Sequence, residues 1–300
     1  MLDWNDLRYF LAIAREGSML AAAKALNVNQ STVQRRLAAL EEAVGGKLIE
    51  RHPTGYRLTD LGQKVLPHAE GVETAVAAFG RALKSSETEL AGTVRVTCPE
   101  FELYRLLSEP LERFRVKYPD LRVEFVITDK FIDLAKGEAD IALRGGVVRD
   151  TALIGRKIAD VPWIVYASRA YVERCGKSVR PEDIARHPII AYAGQLGETE
   201  PVRWFRSWAQ NASVVAHSNS VLGALTAVKS GIGLALLPQH VAVVEGDLVE
   251  VFALPPELAK PITLLVHPDL RSTPRVRALF DFLVGEIGSL RQLLTGQPPA

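Results

Sequence analysis

The chain has 300 residues, room for two or more domains with a sizeable core, and 48% of them are hydrophobic and 24% charged, the mix of an ordinary soluble globular protein. A formal charge of +1 announces no global basic excess, yet it leaves DNA binding open, because a small basic domain can sit inside a neutral chain. Cys98 and Cys175 match no metal-ligand spacing and no disulfide framework, so reduced thiols in a cytoplasmic protein are expected. The opening Met1-Leu2-Asp3-Trp4-Asn5-Asp6 lacks the basic-then-apolar order of a signal peptide, no apolar run is long enough for a transmembrane helix, and no internal repeat stands out.

The first sixty or so residues read as three short helices and a hairpin. Leu7, Phe10, Leu11 and Ala14 recur at the spacing of one helical face. Gly17 ends that helix, and Ser18 is the N-cap of a second that runs to Leu26. Asn27-Val28-Asn29 is the tight turn, and Asn29 opens a third helix whose apolar stripe is Val33, Leu37, Leu40 and Val44, closed by Gly45-Gly46. Leu48–Arg51 and Tyr56–Thr59 flank His52-Pro53-Thr54-Gly55, which predicts a β-hairpin. Together these make a winged helix-turn-helix over 1–59.

From Thr59, a candidate N-cap, the pattern changes. Val65, Ala69, Val72, Val76, Phe79 and Leu83 follow the 3.5-residue average of a coiled-coil seam, although a single globular domain can bury the same stripe. Pro67 conflicts with a straight helix: either the helix bends there or its regular part starts near that residue. The helix and the polar Ser85–Glu89 linker occupy 60–90. Beyond them, strands are predicted at Thr93–Cys98, Arg122–Ile127, Ala139–Leu143, Trp163–Ala167, Ile189–Ala193, Val214–His217, Ile232–Leu237 and Ile262–His267. Helices over Leu106–Lys117, Pro201–Ala209, Ser220–Lys229 and Pro274–Val284 lie between them. Such alternation predicts an α/β domain with mostly parallel sheets over 91–300, long enough for two lobes.

On the third helix, at about 100° per residue, Ser31 and Arg35 fall opposite the apolar stripe, with Thr32 and Gln34 beside them. Arginine can donate twice to guanine, glutamine can pair with adenine, and serine or threonine reaches phosphates or base edges. Gln30, at the helix start, stands where recognition helices touch bases. Arg51 and Arg57 flank the hairpin tip and suit phosphates or a minor groove. Arg36 lies nearer the inner face, where packing and phosphate contact are both open. The alternative for the whole set is an ordinary solvated helix face.

The segment Leu7-Arg8-Tyr9-Phe10, Gly17-Ser18, Ala22-Ala23-Lys24-Ala25-Leu26 and Asn29–Leu37 resembles the helix-turn-helix of the LysR-type transcriptional regulators. The match continues through Leu40-Glu41, Gly45, Leu48, Arg51, Gly55–Thr59 and Gly62. Gln34 stands where many members have serine, which bears on base preference, and Ile49 where phenylalanine is usual. Leu134–Arg144, Gly231–Pro238 and Thr273–Leu279 are similar to weaker motifs of the family's carboxy-terminal part. The resemblance implies an α/β protein with a winged helix-turn-helix, a linker helix and a two-lobed effector domain of periplasmic-binding-protein-like type. The expected first lobe is about 91–160 plus 266–300, and the second about 161–265. It further implies a homodimer through the linker helix, often paired into a homotetramer, acting on promoter DNA and RNA polymerase, with an effector cleft between the lobes.

Two strand-to-helix junctions suit that cleft: Thr97-Cys98-Pro99-Glu100-Phe101 and Ser218-Asn219-Ser220, since helix N-termini favour anionic or polar ligands. Thr128 joins them by resemblance. Glu100 would repel a carboxylate unless Arg144 or another cation neutralises it, and a plain capping role is open for each of these residues. Cys98 invites a redox role if its pKa is lowered, against the simpler reading of a small buried residue. The histidines lack metal-ligand spacing, so neither metal nor cofactor is expected beyond a small-molecule effector of unknown identity. An α/β enzyme is disfavoured because the chain has no G-x-S-x-G elbow, phosphate-binding glycine loop or tight acid–histidine set. A transport solute-binding protein would share the lobes but not the helix-turn-helix.

Overall fold

The computed structural model describes residues 3–53, 55–85, 89–128, 133–146, 152–175 and 180–295. The chain divides into two units, 1–80 and 81–300.

In the first unit, α1 (Trp4–Glu16) is capped by Asp3, whose side chain accepts from the Asn5 amide, and α2 (Met19–Ala25) by Ser18, which accepts from Ala21. The third helix, α3 (Gln30–Val44), starts after Asn29, whose side chain makes no capping bond. Gly17 and Gly45 end α1 and α3 with left-handed φ of 61° and 77°, the conformation in which a Cβ is costly. The predicted stripe meets Phe10, Leu11, Ile13 and Ala22 in one core, closed below by Leu48 and Ile49. The hairpin forms as expected: β1 (Ile49–His52) pairs antiparallel with β2 (Gly55–Leu58), Ile49 opposite Leu58 and Glu50 opposite Arg57. Thr54, at its tip, lies outside the described residues.

Thr59 Oγ1 accepts from the Gly62 amide at 3.0 Å and so opens α4 (Asp60–Ser85). This helix runs through Pro67 rather than starting there. The seam splits along its length: Ala69 is buried and Val65 half-buried against the first unit's core, whereas Val72, Val76, Phe79 and Leu83 are exposed, Phe79 at 67%.

The second unit continues with β3 (Gly92–Cys98), α5 (Glu100–Glu102), a π-type turn (Leu103–Leu107), α6 (Ser108–Lys117), β4 (Leu121–Ile127), β5 (Ile141–Gly145) and β6 (Ile154–Val161). Then follow β7 (Trp163–Ser168), α7 (Arg169–Cys175), β8 (Ile189–Tyr192), α8 (Gly194–Gly197), α9 (Glu200–Trp208) and β9 (Val214–Ser218). Next come α10 (Val221–Lys229), β10 (Leu234–Pro238), α11 (Gln239–Ala242) and β11 (Leu248–Ala253). The chain ends with β12 (Lys260–Val266), α12 (Pro268–Arg271), α13 (Pro274–Gly285) and α14 (Ile287–Thr295).

These strands form two five-stranded sheets. The first has the order β4-β3-β5-β12-β6 and defines one lobe, and the second, β11-β7-β10-β8-β9, defines the other. Both are mixed, which corrects the expectation of mostly parallel sheets. In the first, β4, β3 and β5 are parallel, but β12 runs antiparallel to β5 and β6. In the second, β10, β8 and β9 are parallel, and β7 is antiparallel to β10 and β11. The antiparallel pairings arise because the chain crosses between lobes twice. It leaves the first at Pro162, between β6 and β7, and returns between β11 and β12, so β12 already belongs to the first sheet, ahead of residue 266. Val96, Leu106, Phe114, Ile141, Leu264 and Phe280 centre the first lobe's core, and Val165, Ile190, Leu225, Val228 and Leu236 the second's. Across the return crossing, Lys260 Nζ meets Glu200 Oε2 of α9 at 2.5 Å. Among the described residues no helix is long and apolar enough to cross a membrane.

Candidate functional site

The exposed face of α3 is a row built by the burial of its opposite side. Val33 and Leu37 are buried, which turns Gln30, Ser31, Gln34 and Arg35 to solvent, with Thr32 half-buried at the edge. Arg36 leaves the row. Its Nη1 lies 3.2 Å from Asp6 Oδ1 and 3.5 Å from Asp3 Oδ2, and Asp6 is itself buried at 4% exposure. Of the two alternatives for Arg36, the geometry matches the packing one: it ties α3 to the start of α1.

The hairpin is held in place by groups the sequence reading did not single out. Glu41 is buried on α3, and its Oε1 accepts from the Leu48 amide at 2.9 Å and the Ile49 amide at 3.3 Å. Its Oε2 meets Lys47 Nζ at 2.6 Å. The Tyr56 amide donates to the Gly17 carbonyl oxygen at 2.9 Å, which fastens the second strand to the turn after α1. Arg51 is exposed near the hairpin tip. Arg57 is exposed too, with Nε 2.6 Å from Glu50 Oε1 across the strand pair. An exposed pair of this kind stabilises by only about 0–1 kcal/mol, so Arg57 can exchange Glu50 for a phosphate at little cost.

In the second unit the structure sorts the candidate effector residues into two groups. The first surrounds Arg144, 5% exposed at the end of β5. Its Nη2 donates to Thr97 Oγ1 at 2.7 Å and its Nη1 to the Thr128 carbonyl oxygen at 2.5 Å. The second group meets across the lobes: Pro99 and Glu100 face Ser220 around a cavity of about 40 Å³, completed by Phe101, Glu102, Val221 and Leu222. A space of that size holds little more than water.

Ser218 and Ser220 are engaged in local bonding. Ser218 Oγ donates to the Ser220 carbonyl oxygen at 2.7 Å, and Ser220 Oγ caps α10 by accepting from Gly223 at 3.0 Å. Asn219 between them is exposed. Cys98 is fully buried, and burial, with Glu102 adding and Arg144 opposing, pushes its thiol up to about 12, the reverse of what a redox cysteine needs. Glu102, Val221 and Leu222 escaped notice because they lie one or two residues past the junctions, where helical periodicity alone gives no direction across a cleft.

The family profile described as "Bacterial regulatory helix-turn-helix protein, lysR family" matches residues 4–63, and the one described as "LysR substrate binding domain" matches residues 87–287. A relative named an HTH-type transcriptional regulator, from Xanthomonas campestris pv. campestris (strain 8004), is 28% identical over 99% of this chain and 89% of its own length. Among solved structures, the Neisseria meningitidis LysR-type transcriptional regulator CrgA superposes with a TM-score of 0.56 at 25% identity, covering 96% of this chain and all of the other. The full-length Vibrio cholerae virulence activator AphB, at 23% identity and a TM-score of 0.59 over 95% of this chain and 99% of its own, shares the fold.

Proposed function

Because the chain belongs to the LysR family of bacterial transcriptional regulators, we propose that it binds specific promoter DNA through α3 and the hairpin wing, under the control of a small-molecule effector. The observation that carries this reading is the row Gln30, Ser31, Gln34 and Arg35, exposed on a helix whose other face is buried and whose neighbouring arginine is tied inward. In a major groove, Arg35 reads guanine and Gln34 adenine, Gln30, Ser31 and Thr32 reach bases or phosphates near the helix start, and Arg51 and Arg57 hold backbone. Arg36 then orients the helix rather than reading bases.

The effector enters between the lobes, beside Thr97, Pro99, Glu100 and Thr128 on one side and Ser218, Asn219 and Ser220 on the other. Arg144 supplies a buried positive charge at the end of β5, while Cys98 packs behind. A ligand that prefers one lobe arrangement shifts the population of that arrangement. In a homodimer, or a homotetramer made of two, that shift alters how far the recognition helices bend DNA and how RNA polymerase reaches the promoter. The exposed stripe Val72, Val76, Phe79 and Leu83 supports assembly through α4. The protein works in the cytoplasm, where its DNA is, and needs neither metal nor cofactor for this role.

The test is a salt-controlled titration on the DNA upstream of the protein's own gene, with excess nonspecific competitor. Specific retardation is expected, and Arg35→Ala should cost about 1–3 kcal/mol of specific affinity while sedimentation shows an unchanged assembly. No DNA binding even at low salt would sink the reading.

A further inference from the structure

The turn after β3 puts three roles on consecutive residues. Pro99 and Glu100 line the cavity, and Phe101 leaves its own lobe to join the hydrophobic core of the second. Glu102, buried at 8% exposure, then faces His240 of α11, with Oε1 3.8 Å from Nε2. The His240 ring also meets Phe101 edge-on, centroids 5.7 Å apart and planes at 65°. His240 is 1% exposed, and neither ring nitrogen has a hydrogen-bond partner, an arrangement that costs free energy and is uncommon in folded proteins. Immediately after Glu102 the helix widens into the π-type turn Leu103–Leu107. Such turns are frequent at functional sites, and this one separates the first helical turn from the rigid α6. We propose that Phe101 and Glu102, seated over His240, form a latch between the two lobes whose opening exposes the ring and takes up a proton, so that acidification favours the opened effector domain.

The charges around the ring set the direction. Glu102 faces it from α5 and Arg105 acts on it from the π-type turn. The remainder of α11 (Gln239, Val241, Ala242) is uncharged, as are β7 up to Ser168 and β10. The helix α14, packed on α11, carries Arg291, whose Nε donates to the Ile158 carbonyl oxygen. In the closed latch, burial first and Arg105 second hold His240 down at about 4, so the ring is neutral. Once Phe101 and Glu102 withdraw, water reaches the ring and it returns toward about 6.5. A base held low in the closed form disfavours that form as pH falls below the open-form value, and opening takes up one proton between those two limits. From pH ~7.5 to ~5.5 the ratio of open to closed therefore rises about ten-fold.

The measurement uses the full chain, without DNA or effector, carrying 13C-labelled histidine and fluorinated tryptophan. Trp163 shares the second lobe's core with Phe101 and reports the withdrawal of that side chain. The His240 carbon and Trp163 fluorine signals are expected to move together with one midpoint between the closed and open values. In His240→Gln the Trp163 signal should stay flat through the mildly acidic range. Glu102→Gln keeps the buried shape but lifts the cost of burying a carboxylate beside a neutral ring, so it favours the closed form and should move the shared midpoint to lower pH. A Trp163 response that persists in His240→Gln, or a midpoint indifferent to Glu102→Gln, overturns the latch. Should His240→Gln not fold, the Glu102→Gln comparison decides alone. Failure here leaves the DNA-binding reading intact, because no DNA enters the experiment.

Discussion

Cys98 and Glu41 are both buried and polar, and their surroundings put them to opposite uses. Around Cys98 burial and Glu102 outweigh the opposing charge of Arg144, so with its thiol near 12 only about one molecule in ten thousand carries the thiolate at pH ~8. A thiol-specific dye at that pH should label one cysteine per native chain, the exposed Cys175, and two after denaturation. Rapid native labelling of Cys98 would revive a redox role. Glu41 instead has three donors within reach, Leu48, Ile49 and Lys47. Glu41→Ala strands two amides at the root of the wing and should destabilise the first unit by about 1–3 kcal/mol in denaturant melts followed by a probe in that unit.

Among the elements, α4 is the one whose exposed apolar face most needs a partner. A stripe that changes from buried at Ala69 to exposed from Val72 to Leu83 leaves about three turns of apolar surface in water, which a second copy of the helix can cover. Phe79→Glu should convert the assembled protein to a smaller species by sedimentation, with the thermal transition of the second unit unchanged, while loss of folding there would mean that Phe79 serves that unit instead. The existence and order of α1 to α4 and the hairpin were legible in the sequence because caps, glycine stops and a 3.6-residue stripe coincide there. Two strands of the second unit were not. In β6, Gly155, Arg156 and Lys157 interrupt an edge strand that is exposed over most of its length, so no apolar run marks it. In β11 the alternation Val249-Glu250-Val251 is present but short, and the ladder to β7 is irregular after Glu250. Predicted β10 began at Ile232, whereas the strand starts at Leu234 because Gly231 takes φ 76° and Ile232 points outward. On the site, spacing placed the α3 row correctly in relation to its core. It could not reveal that Asp3 and Asp6 hold Arg36, or that Thr97 is bonded to Arg144, because both pairings join segments far apart in the chain.

For the molecule as a whole, position in the sheet sets an order of events. β12 lies between β5 and β6 in the first sheet, yet it is separated from them by the entire second lobe. During synthesis, the first unit has its complete core long before β12 leaves the ribosome. Until then, β5 and β6 each present an open edge to other chains. A chain stopped after Ala253 should accordingly keep a folded amino-terminal unit, seen as protease-resistant fragments, and aggregate through the remainder. If it stayed soluble with the second unit's melting transition intact, the sheet would not depend on its late strand. The double crossing that splits the first sheet between two distant stretches of chain thus exposes the nascent chain to misassembly until its last seventh or so is made.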